Sequence, residues 1–182
     1  GNAHGTHVAG IAAAITNNNR GVAGTNPFAK IIPVKIGPDN PNSLSVGFGS
    51  EAILYAATLG ADIINCSWGS SGYQQSEHEV IKEATNIGSC IVAACGNDTA
   101  NTAFYPAAYP EVLSVASVHQ LDGRSSFSNF HTSVDVSAPG SSIISTVPVG
   151  TYDYNSGTSM ASPCAAAVTG LVKIMYPSYT PE

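Results

Sequence analysis

An α/β fold, in which a mostly parallel sheet carries helices on both faces in three layers, is predicted by three features of this sequence. Asp62-Ile63-Ile64-Asn65-Cys66 and Cys90-Ile91-Val92-Ala93-Ala94 are nearly continuous apolar runs, the pattern of strands covered on both faces. Between them lies a stretch of helical character, Ser76 to Ile87. Strand, helix and strand in succession call for a right-handed crossover within one sheet.

The elements follow in order. Ala9 to Ile15 continues from two histidines as a small-residue helix, and Asn17-Asn18-Asn19-Arg20-Gly21 stops it with turn formers. Lys30 to Ile36 is rich in branched residues and reads as a strand; Gly37 to Ser45, with two prolines and two asparagines, reads as a loop. Glu51 to Leu59 carries Ala52, Ile53, Tyr55, Ala56 and Leu59 at helical spacing and leads into the strand at 62–66. Ser76 is the expected cap of the next helix, with Glu79 completing a capping box. Short strands are expected at Val112 to Val118, Val134 to Ser137 and Ser142 to Val147. A final helix begins at Ser159, and its run from Ala165 to Met175 is apolar on nearly every side, so it is expected to be buried. No repeat, low-complexity tract or linker divides residues 1–182, so one domain is expected.

Composition narrows the function. Lysine and arginine number 6 against 12 acids, for a formal charge of −6, which excludes the electrostatic footprint of a nucleic-acid or anionic-membrane binder. No run reaches the roughly 18 to 20 apolar residues of a membrane span. Cys66, Cys90, Cys95 and Cys164 lack the close pairing of a zinc site and read as small buried hydrophobes, although three full disulfide pairings are open to them.

The chemistry gathers in four segments. Gly157-Thr158-Ser159-Met160-Ala161-Ser162-Pro163 sets a hydroxyl at the mouth of the last helix, where the dipole is positive. A serine hydroxyl is a poor nucleophile near neutral pH and needs a base and donors for the oxyanion. His4-Gly5-Thr6-His7-Val8-Ala9-Gly10 offers the base. Two histidines three apart could instead be core residues or metal ligands, but zinc hydrolases space theirs four apart around a glutamate. Ala93-Ala94-Cys95-Gly96-Asn97 ends an apolar strand with a neutral amide donor, and Asn65-Cys66-Ser67-Trp68-Gly69 leaves another strand. An α/β-hydrolase esterase would need Gly-x-Ser-x-Gly and a histidine after the serine, and this chain has neither around or beyond Ser159.

These four segments, in this order, resemble the subtilisin-like serine proteases from His4 to Glu182. The resemblance implies a subtilisin-like endopeptidase that needs no cofactor, with His4 as base, Ser159 as nucleophile and Asn97 with the Ser159 amide as oxyanion donors. It implies that Ser67, Trp68 and Gly69 pair with an extended peptide, and that Ala94, Cys95 and Gly96 form the other wall of the first specificity pocket. Phe104 falls where family members with an open pocket have glycine. It either narrows the pocket floor, favouring small or medium apolar side chains, or turns into the core. Tyr105-Pro106 matches a cis-proline site and Ala138-Pro139-Gly140 a structural turn. Asn17 to Gly21 lies where some members bind calcium, but Arg20 argues against a hard cation there, and no metal is expected.

The chain also departs from that family. The family's orienting aspartate precedes the histidine, and only three residues precede His4 here, so that aspartate is expected outside this chain. Asp62 and Asp98 read as structural or solvent-facing. Pro177 to Glu182 looks like the lead-in to a further helix, so the domain is expected to be incomplete at both ends. Cys164 stands at a packing position where histidine is usual. Peptide or protein substrates and an extracellular location follow from the resemblance; a catalytically inactive peptide-binding homologue is the alternative.

Overall fold

The computed structural model describes residues 3–38 and 45–181. Four strands, β1 (Ile63–Cys66), β2 (Cys90–Ala94), β3 (Val112–Val118) and β4 (Val136–Pro139), form one parallel sheet in that order. Alternation along each strand sends side chains to opposite faces. Ile64, Cys66, Ile91 and Ala93 enter one core with Ile53, Ala56 and Ala57 of α2 (Gly49–Thr58) and Ile81 and Ala84 of α3 (Gln75–Ile87). Val92, Val115 and Ala138 face Ala161 and Ala166 of α4 (Thr158–Met175) on the other side. Three layers result, with fully buried Ile81, Ile91 and Val92 each contributing roughly 1.5–3 kcal/mol of transfer free energy.

A separate antiparallel hairpin, β5 (Ile143–Val147) with β6 (Thr151–Asn155), lies beside α1 (His4–Ala13). It grips that helix from the side. Thr146 Oγ1 donates to Thr6 O at 2.9 Å and Ser145 Oγ to His7 O at 2.8 Å. Gly10 permits the approach, since a Cβ there would stand 2.2 Å from Thr146 Oγ1. The fully buried His7 adds a bond from its ring to Asp153 O at 3.1 Å.

Several expectations need correction. Lys30 to Ile36 forms no strand; Pro33 removes a donor, Ile31 and Ile32 remain 48% and 43% exposed, and a cavity of about 2240 Å³ separates this segment from β1. The outer edge of β1 consequently has no neighbouring strand among the described residues. The capping box at Ser76 is absent because the cap lies two residues earlier: Gln74 holds that position without a side-chain bond, and the Glu79 carboxylate instead takes Gln75 and Lys82. The strand expected at 134–137 runs from Val136 to Pro139, and the one at 142–147 belongs to the hairpin, whose β6 the sequence pattern did not reveal. Only the first half of α4 is core. Val168, Val172, Ile174 and Met175 are 43–71% exposed, where the helix runs past the sheet and along the open cavity. Residues 39–44 of the expected loop and Glu182 lie outside the described residues. Tyr105-Pro106 is cis.

The four cysteines are free thiols, with Cys66 and Cys95 fully buried. Burial, reinforced by the Glu77 carboxylate, pushes the Cys66 thiol up to about 12. Because only the thiolate reacts, Cys66 should resist dithionitrobenzoate at pH 8 in the native protein and react once guanidinium unfolds it, a difference read by comparing the two thiol titrations.

Candidate active site

Adjacent parallel strands in register, Cys66 beside Ala93, bring the residues that follow them to one end of the sheet. Ser67 directly follows β1, and Asn97 lies three residues past β2. The turn between Ala94 and Asn97 needs Gly96, whose φ of +102° is costly for other residues. Asn129, fully buried, holds that turn by donating to Cys95 O at 2.9 Å and accepting from the amides of Asp98 and Ala100.

The N-terminus of α4 arrives at the same place. Ser159 is its second residue and is half-buried. The carbonyl of Ser159 should accept from the amide four residues on, but that residue is Pro163, which has none. Ser67 supplies the missing donor, its Oγ reaching Ser159 O at 2.9 Å. In return Ser159 Oγ donates to Ser67 O at 3.1 Å. Behind this pair, Ser162 Oγ donates to Asn65 Oδ1 at 2.7 Å, and Asn65 Nδ2 to Ser67 Oγ at 2.9 Å. The candidate nucleophile is thus tied to β1 by a chain of four side chains.

Asn97 is oriented by the residue before the serine. Its Oδ1 accepts from Thr158 N at 2.8 Å and from Thr158 Oγ1 at 3.0 Å. The oxygen end is thus engaged, and Asn97 is solvent-exposed. The Ser159 amide belongs to the first helical turn, whose N–H groups have no partner within the helix. Thr158, which the sequence reading did not single out, is a positioning residue. Thr158→Val removes two bonds of its hydroxyl, the one to Asn97 Oδ1 and the one accepted from Gly96 N at 3.3 Å, so it should lower kcat about five- to a hundredfold with little change in KM, as expected for two lost neutral hydrogen bonds of about 0.5–1.5 kcal/mol each, and steady-state kinetics will measure the split.

His4 opens α1, which packs against α4, and it shares with Ser67 the wall of the large cavity. The residue is exposed in surface terms, yet protein around the ring removes part of its hydration. That partial burial, followed by the neighbouring His7, holds its pKa below the ordinary histidine value. The imidazole is accordingly biased toward its neutral, proton-accepting form.

The remaining candidates separate into two groups. Gly69 and Gly96 flank Phe104 directly: a Cβ on Gly69 would stand 2.5 Å from the Phe104 ring, and one on Gly96 3.0 Å from it. The side chains of the others pack against neighbouring protein. Trp68 packs its ring over Gly49 at the start of α2, Ala94 is buried, and the Cys95 thiol faces Ser128 and Asn129 O. Ala94 and Cys95 can offer a substrate only their backbone, whereas Trp68 also lines the large cavity. Behind Gly69, Ser70 and Tyr105 exchange two backbone bonds of 2.8 and 2.7 Å, and Tyr109, stacked on His78 and donating to Glu77 at 2.8 Å, anchors this corner.

Comparison with known proteins bears on the family and the fold. A family model described as the Subtilase family matches residues 1–182. Thermitase of Thermoactinomyces vulgaris is 47% identical over 172 residues, which cover 94% of this chain and 61% of thermitase. The halolysin-like extracellular serine protease Nep of Natrialba magadii is 42% identical over 177 residues, covering 97% of this chain and 32% of that protein. A solved protease structure from Pseudoalteromonas arctica superposes with a TM-score of 0.89 at 35% identity, covering 98% of this chain and 60% of the other. The chain thus spans less than two thirds of each of these relatives. With every residue matched by the family model and the expected fold observed, this chain belongs to the subtilase family.

Proposed function

We propose that the chain carries the histidine and serine machinery of a serine endopeptidase. Ser159 Oγ attacks the carbonyl carbon of a peptide bond while His4 takes the hydroxyl proton. The resulting oxyanion accepts from Asn97 Nδ2 and from the Ser159 amide. Collapse breaks the C–N bond, His4 returns the proton to the leaving amine, and water then hydrolyses the Ser159 ester by the reverse sequence. The observation that carries this reading is the single cluster of Ser159, Ser67, Thr158 and Asn97, in which a hydroxyl and an amide share one cleft.

The exit of β1 suits an extended substrate. Ser67 O holds the Ser159 hydroxyl at rest, and a peptide N–H pairing with that carbonyl would compete for it and release the hydroxyl toward the base. An extracellular location is proposed by analogy with the relative named an extracellular serine protease.

A fluorophosphonate probe tests the proposal on the intact protein. The expected result is one covalent adduct, mapped by mass spectrometry to the peptide containing Ser159. A folded protein that binds peptides but takes no label would instead be a catalytically inactive homologue.

A further inference from the structure

We propose that His78 is a positioning residue for substrate, a ring that braces the exit of β1 while both of its nitrogens carry protons, so that peptide binding weakens when the ring loses one. The proposal rests on the endopeptidase reading above and names a control on the same cleft. Five side chains behind Gly69 form one chain of hydrogen bonds, and the proton positions along it follow from what each group can do. A carboxylate only accepts, so Glu79 fixes Gln75 with Nε2 toward itself and Oε1 toward Tyr73 Oη, 2.6 Å away. An amide oxygen also only accepts, so the single hydroxyl proton of Tyr73 goes to Gln75. The Tyr73 oxygen is then an acceptor toward His78 Nδ1 at 3.2 Å, and on the other side of the ring Nε2 lies 2.9 Å from a Glu111 carboxylate oxygen. With an acceptor on each side, both ring nitrogens donate, and the ring is an imidazolium.

The surroundings suit that charge. His78 stands in the first turn of α3, where the helix dipole opposes a cation, but Glu111 pairs with it directly and Glu77 and Glu79 lie in the same turn, with Lys82 engaged by Glu79. The Tyr109 ring stacks on His78 at 4.7 Å; burial, followed by the bond to Glu77, holds its hydroxyl above the usual phenol range, so it keeps its proton. Among the described residues no bond joins the ring to Glu51 or Tyr55 of α2 or to Cys90 of β2, the other elements packed on α3.

The ring acts on substrate through Tyr73. That residue meets Tyr105 edge-on at 5.6 Å, and Tyr105 exchanges backbone bonds of 2.8 and 2.7 Å with Ser70, directly after the Ser67 to Gly69 wall. A neutral His78 cannot satisfy both neighbours: either the Tyr73 proton leaves Gln75 for Nδ1, or the bond to Nδ1 is lost. One link breaks in each case, and a peptide pairing with the wall must then order it first. The Ser159 cluster is tied separately, through Asn65, Ser162 and Thr158, so the chemical step is spared.

The test is KM and kcat of the intact protein for an internally quenched octapeptide from about pH 5.5 to 9, with the ionisation of His78 followed by nitrogen NMR of the ring in the same buffers. KM should rise about two- to tenfold across the interval in which the ring loses its proton, the scale of one hydrogen bond, while kcat follows His4 alone. His78→Gln, a good helix former, should hold KM at its alkaline value throughout, and Tyr73→Phe, which keeps the ring contacts but removes the acceptor, should do the same. A flat native KM, or a step that persists in His78→Gln, while Ser159 takes a fluorophosphonate overturns the role of His78 and leaves the peptidase standing. Absence of both hydrolysis and label overturns the two together.

Discussion

Ser159→Ala in the intact protein should reduce peptide hydrolysis to background and abolish fluorophosphonate labelling, while leaving thermal unfolding nearly unchanged. The two halves of that expectation come from different atoms of one residue. The hydroxyl makes a single bond, to Ser67 O, in a half-open cleft where water can replace it, so its loss costs about 1 kcal/mol or less. The backbone carbonyl, which Pro163 leaves without a helical donor and Ser67 Oγ satisfies, is untouched by the substitution. Ser67→Ala makes the contrast: it strands that carbonyl and ends the chain from Ser162 through Asn65, and should cost roughly 1–3 kcal/mol of stability. Scanning calorimetry beside the hydrolysis assay separates a lost nucleophile from a loosened helix start.

Much of this arrangement was legible from residue pattern. β2 and β3 were readable to the residue or nearly so because apolar runs between turn formers leave few alternatives, and α2 and α3 because their apolar residues recur at helical spacing. Lys30 to Ile36 misled because β-branched composition describes a surface that fits a sheet, not whether a partner strand is available. The hairpin partner β6, Thr-Tyr-Asp-Tyr-Asn, escaped because four of its five residues are exposed and it has no apolar face to read. The outer half of α4 looked like core for the opposite reason: its composition is apolar, but the surface it would cover borders an open cavity.

Around the candidate site, side-chain type pointed to Ser159, His4 and Asn97, but the contacts that set them in place join residues 29 to 97 positions apart in sequence. Thr158, Asn65 and Asn129 act through such contacts and carry no local signature. One link was within reach. A proline six residues into a helix orphans the carbonyl four residues before it, and here that carbonyl belongs to the serine itself.

His4→Ala should lower kcat in the intact protein by about 10²- to 10⁴-fold, the usual contribution of a positioned general base, equivalent to about 3–5 kcal/mol of barrier, with KM far less affected. The fold should survive, because position 4 is an exposed first helical residue and alanine favours helix. The helix it stands on is held elsewhere: by Thr146 and Ser145 on the carbonyls of Thr6 and His7, and by the His7 ring on Asp153 O. Residual activity should also lose its acid limb. In the native enzyme, kcat/KM falls as acid protonates the imidazole, since only the neutral ring accepts the serine proton. Burial and His7 both oppose that protonation, so by themselves they carry activity to lower pH, whereas a facing carboxylate would favour the imidazolium and move the limb back up. Gly10→Val supplies the complementary case. It leaves the imidazole chemically intact but drives a side chain into Thr146 and Ser145, so it should depress kcat together with thermal stability, whereas His4→Ala should depress kcat alone.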